Sequence, residues 1–261
     1  MAQIKDSIWS GDFNGVNYNE HYGDVRGSNV RIDSLKIEDS LVVKVFTIYG
    51  DSLLPNYLLK FKNLRRLNIR DFKEINNVDI LNQLPNLKEL FFINSNFKAI
   101  PKKMVSLKIF WVENNWRSNS NKILINIEDF SGFKDMKNLK TLWLRNCNLT
   151  KFPLEIRYLT QLIELNLSGD NKIEYYSGLE YLINLELLTF SDLWKSKIPK
   201  EVAFLVNLKA LDIGGAIGKI NYKPLYELKK FEQLTSTLPE YLGDRSIRKL
   251  KKHLPNLWIG W

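Results

Sequence analysis

One cysteine in 261 residues excludes an internal disulfide framework and a cysteine-built zinc site. Two histidines leave little material for metal or acid–base chemistry, and no cofactor is expected. Long apolar runs are also missing. The best, Leu41 to Leu59, is broken by Lys44 and Asp51, so nothing approaches the roughly 18 uncharged apolar residues of a membrane span. The first residues, MAQIKDSIWSGDF, lack the apolar core of a secretory signal; the expected location is cytoplasmic, without membrane attachment. Gly214-Gly215-Ala216-Ile217-Gly218 lacks the lysine and the spacing of a phosphate loop. What is plentiful is ordinary: 44% hydrophobic and 26% charged residues are globular usage and exclude a disordered chain. Basic side chains outnumber acidic ones, 38 to 29. The net +9 favours acidic partners, but it is spread along the chain and marks no nucleic-acid stripe.

Self-similarity runs through the middle of the chain. Leu139-Lys-Thr-Leu142-Trp-Leu144-Arg-Asn-Cys147-Asn-Leu149 places apolar residues at relative positions 1, 4, 6 and 11. The spacing recurs at Leu162, Leu165, Leu167, at Leu185, Leu188, Phe190 and at Leu208, Leu211, Ile213, with successive starts 23 residues apart. Upstream it continues as Val43, Phe46, Ile48, as Leu64, Leu67, Ile69, as Leu87, Leu90, Phe92 and as Leu107, Phe110, Val112. These copies predict eight short strands. Side chains alternate along a strand, so positions 4 and 6 face one way and positions 3, 5 and 7 the other. One unit cannot bury its inward row alone; it needs identical units stacked on both sides. Position 9, held by Asp51, Ser95, Asn115, Cys147 and Asp170, turns the chain and is expected to hydrogen-bond the neighbouring turn. Pro101, Pro153 and Pro199 are expected in the first helical turn of the return segment.

The segments LKTLWLRNCNLTKFPLEIRYLTQLIELNLSGD and SKIPKEVAFLVNLKALDIGG resemble the leucine-rich repeat family, over about Val43 to Ala216. The period, with its Phe-Pro or Ile-Pro, is similar to the bacterial and intracellular subclass. The resemblance implies an α/β solenoid with a concave parallel sheet, short helices or 3-10 turns on the convex side, and a cap at each end. It also implies binding of proteins, without naming a partner. The expected organisation is an N-terminal cap over residues 1–40, a solenoid of about eight repeats over 41–227, and a degenerate last repeat with a C-terminal cap over 228–261. The N-terminal cap would use Ile8, Trp9, Phe13, Val16, Tyr18 and Tyr22. At the other end Arg245 to His253 reads as a basic helix with Ile247, Leu250 and Leu254 on one face, stopped by Pro255, with a last strand over Asn256 to Ile259.

No enzyme is expected. His21 and His253 lie at opposite ends, some 35–40 Å apart for eight strands at roughly 4.8 Å spacing. Cys147 occupies a turn position, a structural place without a neighbouring base. One repeat is long: Leu107 to Leu139 spans 32 residues. The surplus, including Trp116 to Lys122, reads as a rim loop, either a tolerated insertion or a partner contact, with Trp116 and Arg117 as its candidate residues.

Register turns the sequence into a map of the open face. Position 5 reads Phe91, Trp111 and Trp143 on three adjacent strands, with Ile93 and Ile109 near them, Arg66, Arg70 and Arg145 at the border, and Glu89 and Glu113 within. Aromatic and arginine residues dominate binding hot spots, and an apolar centre with a charged rim is interface anatomy. The competing reading is a structural ladder along the sheet, or a face covered by the loop. Asn166, at position 5 of its strand, is expected to face solvent, and Ser168, Gly169, Ser191 and Gly214 to leave room. The functional expectation is a non-enzymatic, monomeric module binding a protein partner through this centre. The alternative is a nucleic-acid or other anionic ligand, for which tryptophans could stack bases; Glu89, Glu113 and Glu164 on the same face count against it.

Overall fold

The computed structural model describes residues 43–50, 52–114, 125–169, 173–190, 197–215, 220–236 and 244–260. The proposed N-terminal cap with His21, and the loop residues Trp116 and Arg117, lie outside them. Among the described residues are ten strands: β1 (Val45–Tyr49), β2 (Arg66–Arg70), β3 (Glu89–Ile93), β4 (Ile109–Glu113), β5 (Thr141–Arg145), β6 (Glu164–Asn166), β7 (Leu187–Thr189), β8 (Ala210–Asp212), β9 (Gln233–Thr235) and β10 (Trp258–Gly260). They form one parallel sheet in strict chain order.

Position 4 aligns across the sheet from Phe46 through Leu67, Leu90, Phe110, Leu142, Leu165, Leu188 and Leu211 to Leu234. Those residues, with Ile69, Phe92, Val112, Leu144, Leu167 and Ile213 at position 6, are buried in a single continuous core. Trp143 keeps part of its surface while Leu144 has none, so the alternation read from the repeats is the one the chain adopts.

The return segments are 3-10 turns, at Asn56–Lys60, Val78–Gln83, Ser131–Asp135, Leu154–Tyr158, Leu179–Tyr181, Lys200–Phe204 and Lys223–Leu225. Prolines 153 and 199 are not inside a first turn as expected. Each is the extended residue just before one, with ψ of 113° and 140°, where the absent N–H costs nothing.

Polar residues tie one repeat to the next. Asn86, Asn138, Asn184 and Asn207, each just before position 1, donate through Nδ2 to the carbonyls of Lys62, Val105, Thr160 and Ile183 in the preceding repeat, at 2.8–2.9 Å. At position 9 the Ser95 hydroxyl accepts from Phe72 N–H at 3.2 Å and the Cys147 thiol approaches the Val112 and Arg145 carbonyls. Position 8 takes left-handed backbone: Asp71, Asn94 and Asn146 have φ of 59°, 49° and 52°, and Gly169 and Gly215 have 104° and 75°. Only Gly, Asn and Asp visit that region readily. The recurrence of these types is a second periodic signal, which the apolar pattern alone had not used.

The last segment adds two strands. β9 follows β8 by the regular 23 residues, and α1 (Asp244–His253) packs Leu250 into the core, with Leu254 buried just after it, before β10 closes the sheet. Lys249, Lys251 and Lys252 are exposed, a solvated face.

Candidate functional site

Strand length divides the sheet. β1 to β5 have five residues each and β6 to β10 three, and position 5 supplies the cause for two of the short ones. On β6 the Asn166 Oδ1 accepts from the Ser168 N–H at 3.0 Å and hydroxyl at 2.7 Å. On β8 Asp212 Oδ1 accepts from Gly214 N–H at 2.7 Å. These side chains take the backbone donor two residues on and so end the ladder. Phe91, Trp111 and Trp143 carry no such acceptor, and the ladder runs on to place Ile93, Glu113 and Arg145 on the sheet.

The three aromatics stand in exact register as Phe91↔Trp111↔Trp143 and touch. Ring centroids are 5.7 Å apart for Phe91–Trp111 and 3.8 Å for Trp111–Trp143, at interplanar angles of 38° and 32°. Arginines close both ends: the Arg66 guanidinium lies 5.7 Å from the Phe91 ring and that of Arg145 5.7 Å from the Trp143 ring. The ladder that the sequence left as one of two readings is therefore present. Its neighbours on β3 and β5 flank Trp111 on opposite sides.

Carboxylates hold the row upright. Trp111 Nε1 donates to Glu113 Oε2 at 3.0 Å and Trp143 Nε1 to Glu164 Oε1 at 2.7 Å. Arg145 donates to Glu113 at 3.0 Å and to the Ser168 hydroxyl at 3.1 Å, and Arg66 pairs with Glu89. Burial pushes the Glu164 carboxyl above its ordinary range, against the lowering effect of hydrogen bonds from Trp143 and Thr141. Glu164 and Ser168 were not among the candidate residues. Their signal was the diagonal reach of a long side chain to the next strand, which spacing within one repeat does not carry.

Of the candidates, Arg66, Arg70, Glu89, Phe91, Ile93, Trp111, Glu113, Trp143 and Arg145 are half-buried on the open face. Ile109 is only 6% exposed, between Glu89 and Thr141 on the flanking strands, and offers little surface. Asn166 and Ser168 are likewise 6% exposed: this corrects the expectation of a solvent-facing Asn166. Short side chains on strands about 4.8 Å apart are shaded by longer neighbours. Cys147 is buried and its thiol is pushed up by burial, consistent with the structural place read for it. Among the described residues no helix is long and apolar enough to cross a membrane.

The family model described as leucine rich repeats (2 copies) matches residues 137–181, the stretch that carries β5, β6 and their turns. The fold is a leucine-rich repeat solenoid. Solved structures share the fold. An internalin (inlF) from Listeria monocytogenes superposes with a TM-score of 0.59 at 22% identity, over 86% of this chain and 68% of that one. An internalin C2 from the same organism is 18% identical over 87% and 84% of the two chains, with a TM-score of 0.48. A plant peptide hormone receptor, RGFR1, solved in complex with RGF2, is 17% identical over 83% of this repeat chain and 35% of the receptor, with a TM-score of 0.51. For inlF and RGFR1, with TM-scores above 0.5, the likeness at these identities is one of fold. Curated protein sequences yield no match.

Proposed function

We propose that this leucine-rich repeat chain is a non-enzymatic module that binds a protein partner through the aromatic centre of its concave face. The observation that carries the reading is the closed row Arg66–Phe91–Trp111–Trp143–Arg145. Its side chains are already ordered by stacking and by carboxylates, so a partner meets a rigid surface with little ordering entropy left to lose. Because Trp111 is flanked by a ring on each side, the row is a poor platform for a stacking base. It offers half-buried aromatic rings, the Ile93 side chain and the Arg70 guanidinium. A mixed apolar and charged surface of that kind fits a protein or peptide. Repeat solenoids use their concave sheets in this way, and one fold relative is a peptide hormone receptor.

The test captures a partner from source lysate with the full chain, identifies it, and titrates the purified pair. Arg70→Ala and Ile93→Ala, which leave the stack untouched, are expected to weaken the complex by on the order of 1–2 kcal/mol each. Wild-type affinity in both variants would remove the concave centre from the interface.

A further inference from the structure

The return side of the solenoid departs from its own repeat at one place. Each 3-10 turn has a residue four positions before the next position 1. In six repeats that residue is Lys60, Gln83, Lys103, Asp135, Glu227 or His253, but in three consecutive repeats it is Tyr158, Tyr181 and Phe204. Two residues further on, Ile183 and Val206 adjoin the last two. Tyr181, Ile183, Phe204 and Val206 are 55%, 51%, 60% and 58% exposed, on turns that pack directly against each other. An isolated exposed apolar residue needs no explanation, but a contiguous strip of four marks a contact surface.

The strip has a charged end. Lys134 and Lys137 bring their ammonium groups to 5.7 and 5.3 Å from the Tyr158 ring, and Arg157 lies 5.0 Å from it while donating to the Tyr158 hydroxyl at 3.0 Å. All three cations are exposed, and none forms an ion pair among the described residues. Three like charges around one ring repel each other, and a carboxylate brought by another molecule relieves that repulsion.

We propose that this strip is a second docking surface, which takes an acidic peptide segment of a protein partner: two apolar side chains seated on Tyr181 and Phe204, and an Asp or Glu among Lys134, Lys137 and Arg157. A second copy of the chain is disfavoured by its net charge of +9, which opposes self-association. Glu155, Glu180 and Glu201 stand on the same three turns, which confines the peptide's acidic residue to the Lys134, Lys137 and Arg157 end and disfavours a continuous anionic lipid surface that would meet all three.

The experiment selects phage-displayed random short peptides on the immobilised full chain. The selected peptides are then measured against Tyr181→Gln, Phe204→Gln and Lys137→Glu. Glutamine already occupies this turn position as Gln83, so the fold accepts it, and unchanged melting of these variants checks that. Peptides pairing apolar residues with Asp or Glu are expected. They should lose about tenfold or more in affinity on Phe204→Gln, weaken on Lys137→Glu and with added salt, and bind Ile93→Ala like wild type. Peptides insensitive to Phe204→Gln, or lost on Ile93→Ala instead, overturn the proposal, as does a selection that enriches none. Self-association abolished by Phe204→Gln would assign the strip to a second copy, and sedimentation with phosphatidylserine vesicles abolished by it would assign the strip to a membrane. Either result also overturns the proposal.

Discussion

Trp111 and Trp143 lie with ring centroids 3.8 Å apart across β4 and β5, and each indole N–H is spent on a different carboxylate, Glu113 and Glu164. The pair is a structural unit and part of the open face at once.

That double role changes what a truncation does. Trp111→Ala removes two ring contacts, each worth about 0.5–1.5 kcal/mol beyond area, and is expected to lower stability by roughly 1–3 kcal/mol on that basis. Trp111→Phe should keep most of it. Near-ultraviolet circular dichroism reports the stack directly, since two indoles this close couple their transitions. Loss of the coupled band on Trp111→Ala and on Trp143→Ala alike is expected, and an unaltered spectrum would contradict the contact.

Neighbouring residues on β6 provide a second measurement. Leu165, fully buried, should cost on the order of 2–5 kcal/mol when cut to alanine. For Asn166→Ala, read from sequence as solvent-facing, an expected loss of roughly 0.5 kcal/mol or less is replaced by about 1–2 kcal/mol, because two hydrogen bonds in a buried place are removed. Chemical denaturation of both variants distinguishes the values.

Glu164 makes stability depend on pH in a definite direction. Its folded pKa is raised, so the folded chain binds its proton more tightly than the unfolded chain. Its favourable contribution is full below the unfolded value, about 4.3 for a glutamate, and is lost as pH rises through the folded value. Glu164→Gln keeps an acceptor for Trp143 Nε1 and carries no charge. It should melt higher than wild type at pH 7 and no higher at about pH 3.5, below the ordinary carboxylate range. An equal difference at both pH values would show that charge burial is not the cause.

Gly169 tests the turn. Its φ is +104°, and a Cβ there would stand 1.8 Å from the Asn146 side-chain oxygen and 2.8 Å from its backbone nitrogen. Gly169→Ala is expected to cost roughly 1–3 kcal/mol, the usual range for a forced left-handed residue. Asn94→Gly, at the same turn position with φ of 49°, should change thermal stability far less.

The periodic apolar residues were enough to place Leu142, Leu144, Leu165 and Leu211 in the core and Phe91, Trp111 and Trp143 side by side, because a strand's alternation and a fixed repeat length leave one register that buries both position 4 and position 6. The C-terminal helix was legible for the same reason, through Ile247, Leu250 and Leu254. What the open-face side chains do in that register was decided only by tertiary structure. How far Asn166 is shaded, whether Ile109 is surface or filler, and that Trp143 meets Glu164 depend on the lengths of side chains on the neighbouring strands. Those neighbours lie 20 to 32 residues away in the chain. A repeat pattern specifies the strands that stack; contacts between long side chains across the stack set how much of the face is left open.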